Sequence, residues 1–176
     1  MHKLLTVVVI GATLSVLGPA ASNARAQSGD AVAKRFIGTW RLLSNTERLA
    51  DGTTRPRPNS VGNIIYTADG HMCAALMDPN RRKWNVSNPN AGTSNPQEAL
   101  SAVAGFDGYC SRVEVNTQGG FVLHHVEVSI RPNLVGATRK RFFQFDGPNR
   151  VKLSVDPQEL TAPAVEQTLT WERVTR

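Results

Sequence analysis

The sequence predicts an all-β fold: an eight-stranded up-and-down antiparallel barrel with one short helix between strands three and four. Three observations carry that reading. Short runs of β-branched and aromatic residues recur along the chain, separated mostly by turns rich in Gly, Asp and Asn. Eight such runs joined by short connections favour a closed barrel over a sandwich. Gly38-Thr39-Trp40 opens the first run and Trp171-Glu172-Arg173 closes the last. A tryptophan on the first strand facing a cation on the last seals one end of a small barrel by burial and cation–π contact. Gly38, Trp40 and Arg173 are therefore the expected closure residues, with Trp171 beside them.

Before the barrel, Met1–Ala26 reads as a secretory signal. Lys3 supplies the charge, and Leu4–Leu17 is an apolar run too short for a comfortable membrane span. Ala24-Arg25-Ala26 fits the small-residue cleavage pattern, with no Cys at the junction for lipid attachment. The chain thus divides into a signal peptide (1–26) and one barrel domain (27–176), exported to a periplasm or secreted, with no membrane span once the signal is cleaved. The domain carries 18 Lys and Arg against 14 Asp and Glu. This modest positive charge suits anionic small molecules. It lacks the dense basic stripe of a nucleic-acid binder, so no nucleic-acid partner is expected.

The strands follow in order. Phe36–Ser44 is the first, after a short helical turn over Ala31–Phe36. Asp51-Gly52 turns the chain, and Arg55-Pro56-Arg57-Pro58 reads as an extended or loop segment. Val61–Thr67 and His71–Met77 flank Ala68-Asp69-Gly70, a strong hairpin signal. Asp78–Pro96 holds three Pro, five Asn, Arg81-Arg82-Lys83 and Trp84, the mark of a long irregular loop. Ser94 or Asn95 caps a helix from Pro96 to about Ala104, whose apolar side is Leu100, Val103 and Phe106. Strands then cover Tyr109–Asn116, Phe121–Ile130, Thr138–Phe145, Val151–Val155 and Ala164–Val174.

Alternation along each strand nominates the interior. Val151, Leu153 and Val155 share a face; so do Val165, Gln167, Leu169, Trp171 and Arg173; Arg141, Phe143 and Phe145; Val122, His124, Val126, Val128 and Ile130; and Tyr109, Ser111, Val113 and Val115. The inward polar tips are Arg141, His124, Tyr109 and Gln167, which are the candidate ligand-binding residues. A buried Arg is costly unless paired, and its fork matches two oxygens of a carboxylate or enolate. Arg141 therefore either meets a ligand or is paired at a barrel end with Glu127 or Glu172. His124 is either a ligand contact or a satisfied core histidine. Cys73 and Cys110 either form a disulfide in an oxidising compartment or are two buried thiols. Nothing in the spacing makes a metal site, and no cofactor motif is present.

The segments FIGTWRLLS, IIYTADGHMCAALM, HHVEVSIRPNLVG followed by KRFF, and LTWERV resemble the bacterial lipocalin-like domain family over roughly Phe36–Val174. The resemblance implies a calycin-type β-barrel with a cavity. It also implies roles for His124, Pro132, Asn133 and Arg141, which fall on the family's His-containing strand and its following Arg. Leu134 stands where an aromatic is common. Cys73 and Cys110 stand where Ser or aromatic residues are common.

Three functions compete on this evidence. One is a binding protein for a small hydrophobic or amphipathic, anionic ligand. The second is a cofactor-independent cyclase, isomerase or hydratase with His124 as acid–base, Tyr109 as proton donor and Arg141 as oxyanion stabiliser. In the third, loop 78–96 anchors a protein partner through Trp84. The second requires His124 buried within hydrogen-bond reach of Tyr109 or Arg141.

Overall fold

The computed structural model describes residues 30–88 and 90–175. The expected signal peptide lies outside them. A short helix, α1 (residues 30–36), leads into nine strands. These are β1 (Gly38–Leu49), β2 (Thr54–Pro56), β3 (Val61–Tyr66), β4 (His71–Met77), β5 (Phe106–Asn116), β6 (Phe121–Ser129), β7 (Thr138–Asp146), β8 (Arg150–Val155) and β9 (Ala164–Arg173). A second helix, α2 (Pro96–Ala104), precedes β5, and 3-10 turns at Pro132–Leu134 and Pro157–Glu159 follow β6 and β8.

Strands pair antiparallel from neighbour to neighbour, and β1 pairs with β9 from Trp40↔Arg173 to Leu49↔Ala164, which closes an eight-stranded barrel. The ninth strand is the difference from expectation. Residues Thr54–Pro56 are not loop: they pair with Thr46–Arg48 of β1, above the stretch where β1 pairs with β3. Proline is tolerated there because the short strand is an edge whose outer groups need no ladder. The helix therefore lies after β4 rather than between strands three and four.

The Asn95 side chain caps α2 by accepting from the Gln97 backbone N–H at 3.0 Å. The helix buries none of its residues; Leu100 and Val103 are exposed, and Phe106 begins β5 instead. Loop 78–96 is tied to it. The Trp84 indole donates to the Glu98 carbonyl at 3.2 Å, and the Glu98 carboxylate accepts from the Asn85 backbone N–H and the Thr93 hydroxyl.

Two β-bulges reset the alternation of inward positions. On β1 the register shifts between Leu42 and Ser44, so the interior passes from Trp40 and Leu42 to Asn45 and Glu47. Opposite the shift between Cys110 and Ser111, β6 turns over, leaving Val128 outside together with Ile130 just past the strand. Val165, at the start of β9, is exposed as well. The Cys73–Cys110 disulfide joins β4 to β5 at directly paired positions.

One end of the barrel is plugged by aromatic residues. Phe36, from α1, packs on Tyr66, Phe143 and Phe145 with ring centroids 4.9–5.3 Å apart. Trp40 is fully buried and donates from Nε1 to the Phe36 carbonyl at 2.7 Å. The Arg173 guanidinium lies 4.1 Å from the Trp40 ring centroid and donates to the carbonyls of Ile37 and Arg35, both at 2.6 Å. A side chain at position 38 would be blocked: Gly38 has φ +127°, and a Cβ there would sit 2.8 Å from Arg173 Nη1.

Candidate ligand-binding site

The other half of the barrel holds a cavity. Its walls are apolar where Ile64, Ala74, Leu76, Leu153, Val155 and Leu169 face it. All four polar residues nominated by alternation, Tyr109, His124, Arg141 and Gln167, line it together. Trp171 also lines it, so this tryptophan belongs to the cavity wall rather than to the closure at the aromatic end. The volume open to the centre of a water molecule is about 70 Å³, room for about five waters.

His124 is completely buried at the centre of a hydrogen-bonded trio. Its Nε2 lies 3.1 Å from the Tyr66 hydroxyl and its Nδ1 lies 2.9 Å from the Tyr109 hydroxyl. Burial holds the imidazole well below its ordinary pKa, and the charges of Arg141, Arg139 and His125 push the same way. Burial also raises the pKa of both tyrosines. The trio is therefore neutral, and a neutral imidazole has one donor and one acceptor nitrogen. Tyr66 packs against Phe36, and His124 is its only side-chain hydrogen-bond partner among the described residues. Its proton is best used by donating to Nε2. Nδ1–H then donates to the Tyr109 oxygen, which leaves the Tyr109 O–H for the cavity.

Arg141 is 5% exposed. Its partner is neither Glu127 nor Glu172. It is Glu159, brought back by the 3-10 turn after β8: Arg141 Nη1 donates to Glu159 Oε1 at 2.9 Å and Oε2 at 2.8 Å, and to the Lys140 carbonyl. Glu159 also accepts from Arg139 Nε at 3.2 Å and the Lys140 backbone N–H at 2.7 Å. Among the described residues Arg141 makes all its hydrogen bonds through Nη1, so Nε and Nη2 retain donors. Trp171 Nε1, which only donates, is buried with no hydrogen-bond partner.

Alternation beyond the first bulge explains the rest of the mouth. Gln167 donates to Asn45 Oδ1 at 2.9 Å, and Asn45 Nδ2 donates to the Asn59 carbonyl at 3.0 Å. Glu47, 5% exposed, accepts from Arg57 Nη1 at 2.7 Å and Arg55 Nε at 2.6 Å. Those two bonds, Arg57 first, hold its carboxyl below the usual carboxylate range. Arg131 Nε stands 3.5 Å from Asp107 Oδ1. The mouth thus carries five guanidiniums (Arg55, Arg57, Arg131, Arg139, Arg141) against three carboxylates (Glu47, Asp107, Glu159).

The lipocalin-like domain family model matches residues 37–174. The chain belongs to the lipocalin-like domain family. Its barrel is similar to two solved structures at low identity. One is a redesigned β-barrel, 15% identical with a TM-score of 0.40, the match covering 81% of this chain and 95% of that one. The other is a mutant of the fluorescent protein UnaG, 10% identical with a TM-score of 0.36, covering 82% of this chain and 99% of that one. No curated protein matches the sequence. Among the described residues of this lipocalin-like chain, no helix is long and apolar enough to cross a membrane.

Sequence reasoning missed Asn45 and Glu47, because it ended the first strand at Ser44. It also passed over Tyr66, although Ile64 and Tyr66 alternate inward in its second strand. Asp107 escaped notice because that strand was begun after it. Glu159 had no signal of its own; only the turn after β8 brings it to Arg141.

Proposed function

We propose that this lipocalin-like protein binds a small amphipathic anion in the cavity at the polar end. One observation carries the reading: Arg141, almost wholly buried, keeps unused donors in a cavity whose apolar wall is Ile64, Ala74, Leu76, Leu153, Val155 and Leu169. A guanidinium in such a setting matches a carboxylate or enolate head group. The surplus of guanidiniums at the mouth favours entry of an anion. The Cys73–Cys110 bond supports an exported protein in an oxidising compartment.

Calorimetric titration with benzoate-sized acids, phenols, quinones and fatty acids tests the proposal. Saturable binding is expected for small anions, and none for chains too long for about five waters' worth of space. A folded protein that binds no member of the panel contradicts it. Acid–base chemistry in the same cavity is the second reading. It is favoured by the 2.9 Å contact between His124 Nδ1 and Tyr109 inside a closed barrel.

A further inference from the structure

We propose that the cavity is a proton-transfer centre for carbon acids: Asp107 takes a proton from the carbon beside a carbonyl, and Tyr109, Arg141 and Trp171 hold the oxyanion that results. The proposal rests on the binding reading, because the substrate oxygen takes the place given there to the anion.

Two buried atoms on opposite sides of this cavity have opposite chemical sense and no hydrogen-bond partner among the described residues. Trp171 Nε1 is a donor, and Asp107 Oδ1 is an acceptor and a base. A ligand that only accepts hydrogen bonds would use the donor and leave the carboxylate without a partner. A neutral carbonyl compound with an acidic C–H uses both. Asp107 and Tyr109 are two residues apart on β5 and line the same cavity. Their Cβ atoms are thus roughly 7 Å apart along the strand. Arg131, 3.5 Å from Asp107, holds the carboxylate at the rim.

His124 has a different role from the acid–base one its sequence position suggested. Both of its nitrogens are taken by tyrosine hydroxyls. It is a positioning residue: Tyr66 fixes the tautomer, and His124 in turn directs the Tyr109 O–H toward the oxyanion. Donors preorganised in a water-poor site are the strongest device available for stabilising such charge.

The step balances without a co-reactant. The α C–H bond breaks and its proton passes to Asp107. The electron pair forms a carbon–carbon double bond while the carbonyl π pair moves to oxygen. In a β,γ-unsaturated ketone the proton is then returned from Asp107 to the γ-carbon, and the oxyanion collapses to a conjugated ketone. The substrate class is a small ketone with an acidic α-hydrogen.

The test uses the whole protein and cyclohex-3-en-1-one, a small β,γ-unsaturated ketone. Conversion to cyclohex-2-en-1-one is followed by ultraviolet absorbance, and α-proton exchange in deuterium oxide by NMR. Binding of 4-nitrophenolate is measured in parallel. The wild type is expected to isomerise or exchange the ketone. Asp107→Asn is expected to lose about 100-fold or more of that rate, and Tyr109→Phe about 100-fold, with both variants shown folded by their thermal melts. His124→Asn is expected to lower kcat with KM unchanged. A wild type that binds the phenolate but neither isomerises nor exchanges the ketone overturns the proton-transfer proposal and leaves the binding reading standing. Full activity in Asp107→Asn also overturns it. Failure of the folded wild type to bind any anion overturns the binding reading itself.

Discussion

The two ends of this barrel are built from opposite materials. At one end Phe36, Trp40, Phe143 and Phe145 fill the space with rings, and two nearby cations are used locally: Arg173 spends its donors on backbone carbonyls and its face on Trp40, and Arg35 stacks on Phe145 and donates to the Gly147 carbonyl. At the other end Asn45, Glu47, Arg141 and Gln167 form a polar layer around a cavity. Donors there outnumber what the protein itself consumes. The contrast separates stability from function: at one end Trp40 and Arg173 spend their donors on backbone carbonyls, and the other is left with hydrogen-bonding capacity facing inward.

The largest effect should come from the aromatic end. Trp40→Ala removes a fully buried indole and should cost about 3–5 kcal/mol in urea unfolding, with anion affinity of the remaining folded protein little changed. A variant as stable as wild type would show that the aromatic end does not hold the barrel shut. Replacing Cys73 and Cys110 together by Ala should cost about 2–4 kcal/mol, from the loop of 37 residues that the bond closes. Its thermal melt should drop without loss of the ligand pocket, because neither cysteine lines it.

Changes at the polar end should cost less stability. Glu47→Gln breaks charge-assisted bonds to Arg55 and Arg57 and should lose about 1.5–3 kcal/mol, measured by the same unfolding series. The pH dependence sharpens the comparison further. His124 is neutral in the fold and titrates well below 6.5, whereas the unfolded chain takes up its proton near 6.5. Stability is therefore full above that pH and falls as the pH drops below it, by up to about 1.4 kcal/mol per unit. Glu47, depressed below 4.5, adds a second loss at lower pH. Unfolding curves for wild type and His124→Gln should differ in slope between pH 6.5 and 4.5; parallel curves would mean that His124 is not buried as a neutral base.

Much of this contrast was legible in the sequence, and what was not has identifiable causes. Trp40 and Arg173 sit at opposite chain termini with strand-type neighbours, so their meeting follows from closing the barrel. Tyr109, His124, Arg141 and Gln167 follow from alternation alone, because no register shift separates them from clearly apolar neighbours. Val128 was misplaced where a bulge adds one residue and reverses the faces, an event that leaves no compositional trace, and Asn45 and Glu47 were missed because the first strand was ended at Ser44. Strand β2 was hidden because Arg-Pro-Arg-Pro has loop composition; its pairing depends on Glu47, a residue itself on the wrong side of the first bulge. The Arg141–Glu159 pair depends on a turn between two strands, so neither residue's strand pattern contains it.

The central claim is that the polar end, and Arg141 in particular, is where a small anion binds. Calorimetric titration of one single-ring carboxylate into wild type and Arg141→Met tests it most directly. The expected result is saturable one-to-one binding in wild type, weakened about 10- to 100-fold in the variant, the worth of a hydrogen-bonded charged contact. Equal affinity in the two proteins, with both folded, would contradict the account.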